Sequence, residues 1–166
     1  MFTSTTTGST AFSAPVSVTK RMDHPWLDLF ELVLDVESYP SFLPHCRDVR
    51  LLSRKIENPC RTIIVSRMVV GFSVLEIGYA NRTIGDASRR RIDVEALDGP
   101  LRYLKASWSF VPEDDQHSTI GFLVDYEFRS HVLSAIASRV FSSIFTDTVN
   151  AFERRANQLF RGARPV

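Results

Sequence analysis

Residues 131–160, HVLSAIASRVFSSIFTDTVNAFERRANQLF, run for thirty positions without a Gly or a Pro. Leu133, Ile136, Val140, Ile144, Thr148, Phe152, Ala156 and Leu159 recur in steps of three and four, which places them on one side of a helix. Val132, Phe141, Phe145, Val149 and Phe160 widen that stripe, while Arg139, Asp147, Glu153, Arg154, Arg155 and Gln158 fall on the opposite side. Ser130 is placed to cap the start, and Gly162 and Pro165 follow the end. Such a helix is about 45 Å long at 1.5 Å per residue. It needs a broad apolar partner surface.

Upstream the apolar period is two. Segments Val49–Lys55, Thr62–Val70, Val74–Thr83, Arg89–Leu97, Tyr103–Val111 and Thr119–Phe128 read as six successive strands. The breaks between them hold turn residues: Asn58-Pro59, Gly71, Gly85-Asp86, Asp98-Gly99-Pro100 and Pro112 to Asp115. Ahead of them, Pro15–Arg21 alternates as a first edge strand. Asp23-His24-Pro25 opens a short helix whose buried side is expected to hold Leu27, Phe30, Val33 and Leu34. Two X-Pro pairs, Tyr39-Pro40 and Leu43-Pro44, make Ser38–Cys46 an irregular turn. Strand, short helix, six strands and a long helix make an α+β fold. A curved antiparallel sheet of about seven strands, wrapped around the C-terminal helix, buries both stripes.

The 166 residues are read as one domain over 15–162, behind a Ser/Thr-rich tail at 1–14 that is expected to be flexible. A net charge of +1 argues against a dedicated nucleic-acid binder, and no apolar run reaches eighteen residues. Cys46 and Cys60 lie in no metal or disulfide-framework spacing, which points to reduced thiols and a cytoplasmic protein.

The inward phase of the last three strands holds aliphatic and aromatic residues and one hydroxyl, Tyr126, so no acid–base or nucleophilic constellation is expected there. Asp93, Glu95, Asp125 and Glu127 take the opposite, solvated phase. His45-Cys46 is the one pair with ligand chemistry, and no second pair at zinc spacing follows it, so no metal and no catalytic residue is assigned. Arg89-Arg90-Arg91 and Arg154-Arg155 are interspersed with acids and read as solvated faces. Asp98-Gly99-Pro100 is a tight turn.

Four blocks in order carry a resemblance: Tyr39-Pro40-Ser41-Phe42-Leu43-Pro44-His45-Cys46; Asp98 to Leu104 with Trp108-Ser109-Phe110; Tyr126 to Ser130; and Asn150 to Ala156. Together, over about Val16 to Phe160, they resemble the coenzyme-Q-binding proteins of the START-like (polyketide cyclase/dehydrase) superfamily. His45 stands where that family usually has Trp, and Leu101 where Phe is common. The resemblance implies a helix-grip fold and non-catalytic binding of ubiquinone, or a related polyprenyl quinone or lipid, with no cofactor besides that ligand. It further implies a carrier or chaperone role in respiratory electron transport and quinone synthesis, with peripheral contact at the inner membrane. The same family includes bacterial ribosome-association toxins, so a ribosomal partner is the second reading; a polyketide cyclase or aromatase is the third.

A pocket that competes with a bilayer must be apolar throughout, since each buried methylene is worth about 0.8 kcal/mol. The expected ligand-binding residues are Leu104, Trp108, Phe110, Phe122 and Val124 on the sheet, and Ile136, Val140, Phe141 and Ile144 on the helix. Phe42, Leu43, Pro44 and Leu101 are expected to form a gate. The same residues could equally pack into a filled core. A domain of this size has a radius of gyration of about 15 Å, so a hollow one would hold a ring and the first isoprene units, with the tail outside.

Overall fold

The computed structural model describes residues 15–72 and 74–161, so the expected tail at 1–14 and the helix-stop residues Gly162 and Pro165 lie outside the described residues. The chain runs β1 (Val16–Met22), α1 (Trp26–Leu34), a 3₁₀ turn (Val36–Ser41), then β2 (Cys46–Asn58) and β3 (Arg61–Phe72). It continues through β4 (Leu75–Asp86), β5 (Arg91–Ala96), β6 (Leu101–Pro112) and β7 (Ser118–Phe128) to α2 (His131–Phe160). One antiparallel, curved sheet has the order β1-β7-β6-β5-β4-β3-β2. The meander pairs neighbours because its connections are short, and β1 closes onto β7 with Val18 opposite Phe122.

Most strands outrun their sequence-predicted ends, while β5 falls short at both. β2 begins at Cys46 rather than Val49 and reaches Asn58, and β4 starts one residue late and continues to Asp86. Val74, expected in a strand, sits fully exposed beside the β3–β4 turn. Arg89 and Arg90 belong to the turn before β5, where Arg90 takes a positive φ of 49°. The alternation itself holds on both faces. Asp93, Glu95, Asp125 and Glu127 point outward, where Arg82 pairs with Glu95, Arg91 with Asp93, and Arg102 with Glu127.

α1 buries Phe30, Val33 and Leu34 as its spacing suggested, but not Leu27. Leu27 is 47% exposed, and the buried residues are Leu29, Phe30, Leu32, Val33 and Leu34. Its side chains seat against Gly85 of β4, where an added Cβ would lie 2.9 Å from both methyls of Leu34.

α2 lies across the inner face of the sheet and touches β1, β7 and α1. Ser130 caps it, accepting from the Leu133 N–H at 3.4 Å. The helix bends by 49° between His131–Phe141 and Ser143–Phe160. Ser143 Oγ donates to the Val140 carbonyl at 2.8 Å and Ser138 Oγ to that of Ala135 at 3.0 Å, back-bonds of the kind that loosen and bend helices. Beyond the bend, Ile144, Phe145, Val149, Ala151, Phe152 and Ala156 are buried; before it only Ala137 is. Val132, Ile136 and Leu159, all assigned to the apolar stripe, are exposed. Ile136 and Phe141 are five residues apart, about 140° around a helix, so only one of them can face the sheet, and it is Phe141. No single helix among the described residues is long and apolar enough to cross a membrane.

Candidate functional site: an apolar cavity under the long helix

The register sorts the inner face into rows. Gly85, Ile92, Trp108 and Phe122 form one row; Thr83, Val94, Ala106 and Val124 form the next. Asn81 pairs with Ala96 and with Ser66 of β3, and Leu104 with Tyr126. α1 closes the Gly85 end of the first row, where Leu34 and Phe30 lie against Gly85, and Phe30 also meets Phe110 of the neighbouring row with ring centroids 5.5 Å apart. The next rows carry Thr83, Ala96 and Ala106, which are too short to reach α2. The packing therefore leaves space at the middle of the sheet.

That space is a cavity of about 180 Å³. Its wall is largely aromatic. Trp108 stacks on Phe122 with centroids 4.0 Å apart, and Phe152 of α2 meets Trp108 edge-on at 5.0 Å. Phe141 bridges Phe72 at 5.3 Å and Phe128 at 5.6 Å toward the other end. Met68, Val70, Ile77 and Tyr79 line the β3–β4 side, and Val36, Tyr39, Leu43, Pro44, His45 and Cys46 the side of the irregular turn. An engineered apolar cavity of about 150 Å³ takes up benzene, so this one has room for a ring-sized apolar group.

Of the thirteen expected ligand-binding residues, the structure places nine around the cavity: Leu43, Pro44, Leu101, Leu104, Trp108, Phe122, Val124, Phe141 and Ile144. Four are elsewhere. Phe110 is in the correct strand phase but one row too far along, packed on Phe30. Phe42 turns away from the void and packs on Tyr39 and Phe152, with the Arg155 guanidinium 5.8 Å above its ring. Ile136 is 46% exposed and Val140 half-buried outside the lining, because the helix presents the Ala137–Phe141 side instead.

Sequence reasoning missed Asn81 and Thr83. Both are buried and both line the cavity. The signal was present: from Leu75 the alternate residues of β4 are Leu75, Ile77, Tyr79, Asn81, Thr83 and Gly85, and extending the phase analysis from the last three strands to this one finds two polar groups on the inner face. Asn81 Oδ1 accepts from Ser66 Oγ at 3.2 Å and, at a longer 3.5 Å, from Thr83 Oγ1.

Among the described residues, no Lys, Arg, Asp or Glu lines the cavity. Burial pushes the Cys46 thiol up to about 11, helped by Asp48, and the Tyr79 hydroxyl up to about 12, helped by Cys46. Burial likewise carries Tyr39 well above the usual phenol range; its hydroxyl donates to the Val33 carbonyl. All three are neutral at pH 7. His45 sits at the rim, its ring 5.3 Å from that of Phe72 and its Nε2 3.9 Å from Asp147. Cys46 is half-buried and Cys60 exposed, both as free thiols. Among the described residues, no three His, Cys, Asp or Glu side chains are grouped so as to hold a metal ion. A neutral, mostly apolar guest suits such a lining; a charged one would be buried without a partner.

The Asp98-Gly99-Pro100 turn does more than reverse the chain. Gly99 has a φ of +96°, and Asp98 reaches back to β4, accepting from the Ala80 N–H at 2.5 Å and from Arg67 at 3.1 Å. The turn thereby holds Leu101 over the cavity.

Sequence comparison agrees with this architecture. The ribosome association toxin RatA of Rickettsia prowazekii (strain Madrid E) is 32% identical over 149 residues, covering 86% of this chain and 96% of the toxin. The mitochondrial coenzyme Q-binding protein COQ10 of Dictyostelium discoideum is 24% identical over 145 residues, covering 86% of this chain and 69% of that protein. The solution structure of the 18 kDa protein CC1736 from Caulobacter crescentus superposes with a TM-score of 0.74 at 32% identity, covering 91% of this chain and 100% of the other. The family model described as polyketide cyclase/dehydrase and lipid transport matches residues 22–153. With a helix-grip sheet, an apolar cavity beneath the long helix and that match over most of its length, the chain belongs to the polyketide cyclase/dehydrase and lipid transport family.

Proposed function

We propose that the protein binds ubiquinone, or a related polyprenyl quinone or lipid, in the cavity between sheet and helix, as a non-catalytic carrier. The observation that carries this reading is the ring-sized void walled by Trp108, Phe122, Phe152 and Phe141, with no charged side chain among its lining residues. Flat aromatic faces suit a quinone ring, and Val124, Ile144 and Leu104 suit the first isoprene units. About 180 Å³ is below the 300–1,000 Å³ of most ligand pockets, so a long tail runs outside. The mitochondrial coenzyme Q-binding relative supports the same ligand class. In this reading the protein works from the cytoplasm, touches the inner membrane peripherally, and hands quinone between membrane-bound enzymes of respiration and quinone synthesis. Organic extraction of the freshly purified protein followed by mass spectrometry is expected to release a polyprenyl quinone. A protein that carries none, and gains no thermal stability from added short-chain ubiquinone, would end the proposal.

A second reading is association with a ribosomal subunit, favoured by the 32% identity to a ribosome association toxin. The edge strand β2 exposes Arg47, Arg50, Arg54 and Lys55 against Asp48 and Glu57, which gives an RNA surface something to meet. Binding of that kind weakens steeply with salt. Co-sedimentation with ribosomes that is absent, or indifferent to salt, removes it.

A further inference from the structure

The cavity is mostly apolar, and the one amide among its lining residues is Asn81. Asn81, 2% exposed, and Thr83, 3% exposed, stand together on the inner face of β4, and the fully buried Ser66 hydroxyl meets Asn81 from β3. A buried amide in an otherwise hydrophobic wall is costly unless its hydrogen-bonding groups are used. Here only one end is used. The carbonyl oxygen Oδ1 accepts from Ser66 Oγ and Thr83 Oγ1, filling both of its lone pairs. Among the described residues Nδ2 has no acceptor. Nor is Nδ2 among the fully buried side-chain nitrogens and oxygens that lack a hydrogen bond in the described residues. Nδ2 therefore keeps accessible surface, and the space that Asn81 borders is the cavity.

We infer that Asn81, oriented by Ser66 and Thr83, is a hydrogen-bond donor site for a carbonyl oxygen of the guest, and so selects a neutral carbonyl-bearing hydrophobe. The inference rests on the ligand-binding reading above and sharpens it. A carboxylate or phosphate is disfavoured, because no Lys or Arg among the described residues lines the cavity to pair with it. A hydrocarbon leaves the amide N–H groups unpaired. A quinone supplies acceptors. Its two-electron-reduced form brings hydroxyl hydrogens to a site whose own acceptor is already occupied twice, so the oxidised form is the better guest. The placement is also sterically sensible: Asn81 sits beside the short residues Ala96 and Thr83, so a ring can approach it.

Calorimetric titration of the full-length protein in dilute detergent tests this with three probes: a ubiquinone carrying a ten-carbon tail, its hydroquinone, and decylbenzene. Wild type is expected to bind the quinone most tightly. Asn81→Leu is expected to weaken quinone binding about fivefold, the worth of one neutral hydrogen bond, while decylbenzene binding is unchanged or tighter. Because that variant strands two hydroxyls, a second one is measured beside it. Ser66→Ala/Thr83→Val keeps the amide but frees Oδ1, so the preference for quinone over hydroquinone is expected to narrow toward unity. Equal changes for quinone and decylbenzene in Asn81→Leu, or an unaltered redox preference in the double variant, overturn the inference and leave the cavity's role standing. A wild type that binds none of the probes overturns both.

Discussion

Trp108 and Phe122 are directly opposite one another on β6 and β7 and stack with ring planes 24° apart. Cross-strand pairing sets the spacing, and Phe152 of α2, edge-on to Trp108, sets how close the helix comes. The row beyond this pair, Thr83–Val94–Ala106–Val124, is short-chained. The void is thus the step between a tall row and a low one.

Filling that step separates ligand binding from folding. Ala106→Leu places three more carbons in the cavity without touching a hydrogen bond. Its folded state is expected to be as stable as wild type or slightly more so, while a guest that must share the space loses about 1–3 kcal/mol of binding. Thermal melts with and without short-chain ubiquinone check both halves. A variant that still gains the wild-type melting increment would show that the guest sits elsewhere.

Alkali should weaken the fold through the cavity wall. The Cys46 thiol titrates near 11 in the folded protein against about 8.5 in an unfolded chain. The unfolded chain therefore releases this proton first. The stability it contributes is complete below about pH 8.5 and is lost as pH rises toward 11, by about 1.4 kcal/mol per pH unit. Tyr79, held near 12, and Tyr39, raised further, steepen the fall above pH 10. Urea unfolding from pH 8 to 11 is expected to show this decline, and Cys46→Ala to make it shallower. At pH 8 a thiol reagent is expected to label Cys60 quickly and Cys46 slowly.

The DGP turn is sensitive at its middle residue. Gly99→Ala meets a positive φ and puts its Cβ 2.8 Å from the Cβ of Tyr79. A destabilisation of about 1–3 kcal/mol is expected by urea titration, with weakened quinone binding because Leu101 follows the turn. An unchanged midpoint would mean that the turn relaxes freely.

At the far end of α2, His24 is buried, and its Nε2–H donates to Asn157 Oδ1 at 2.8 Å, with the Phe160 ring edge-on at 5.8 Å. Asn157→Ala leaves that imidazole N–H unpaired and should cost about 1–3 kcal/mol of stability. Neither residue lines the cavity, so quinone affinity is expected to stay at the wild-type value. Loss of affinity at unchanged stability would refute this division of roles.

Much of the architecture was legible in local pattern. The period of two from β2 to β7 and the gap-free helical stripe from His131 to Phe160 are consequences of side-chain geometry within single elements, and they sufficed for a sheet gripping a helix. Leu104, Trp108, Phe122, Val124, Phe141 and Ile144 follow from phase, because phase decides which face a side chain takes, whereas Leu43, Pro44 and Leu101 follow from the two irregular turns. Phase does not decide how far along the strand the void lies. That depends on α1 closing over Gly85 and Phe110, a contact between segments 51 or more residues apart in the chain. Which side of α2 meets the sheet was likewise undetermined: its stripe is wide enough for either Ile136 or Phe141, and only packing against Phe72 and Phe128 chooses.

Local order along the chain therefore determined the elements, their inward faces and the antiparallel meander. Tertiary packing alone decided that the grip is hollow and where the hollow lies, and so that the inward-facing Asn81 and Thr83 border it. The physical reason is that alternation is a property of one strand, whereas a cavity is a mismatch in side-chain length between elements brought together from distant parts of the sequence.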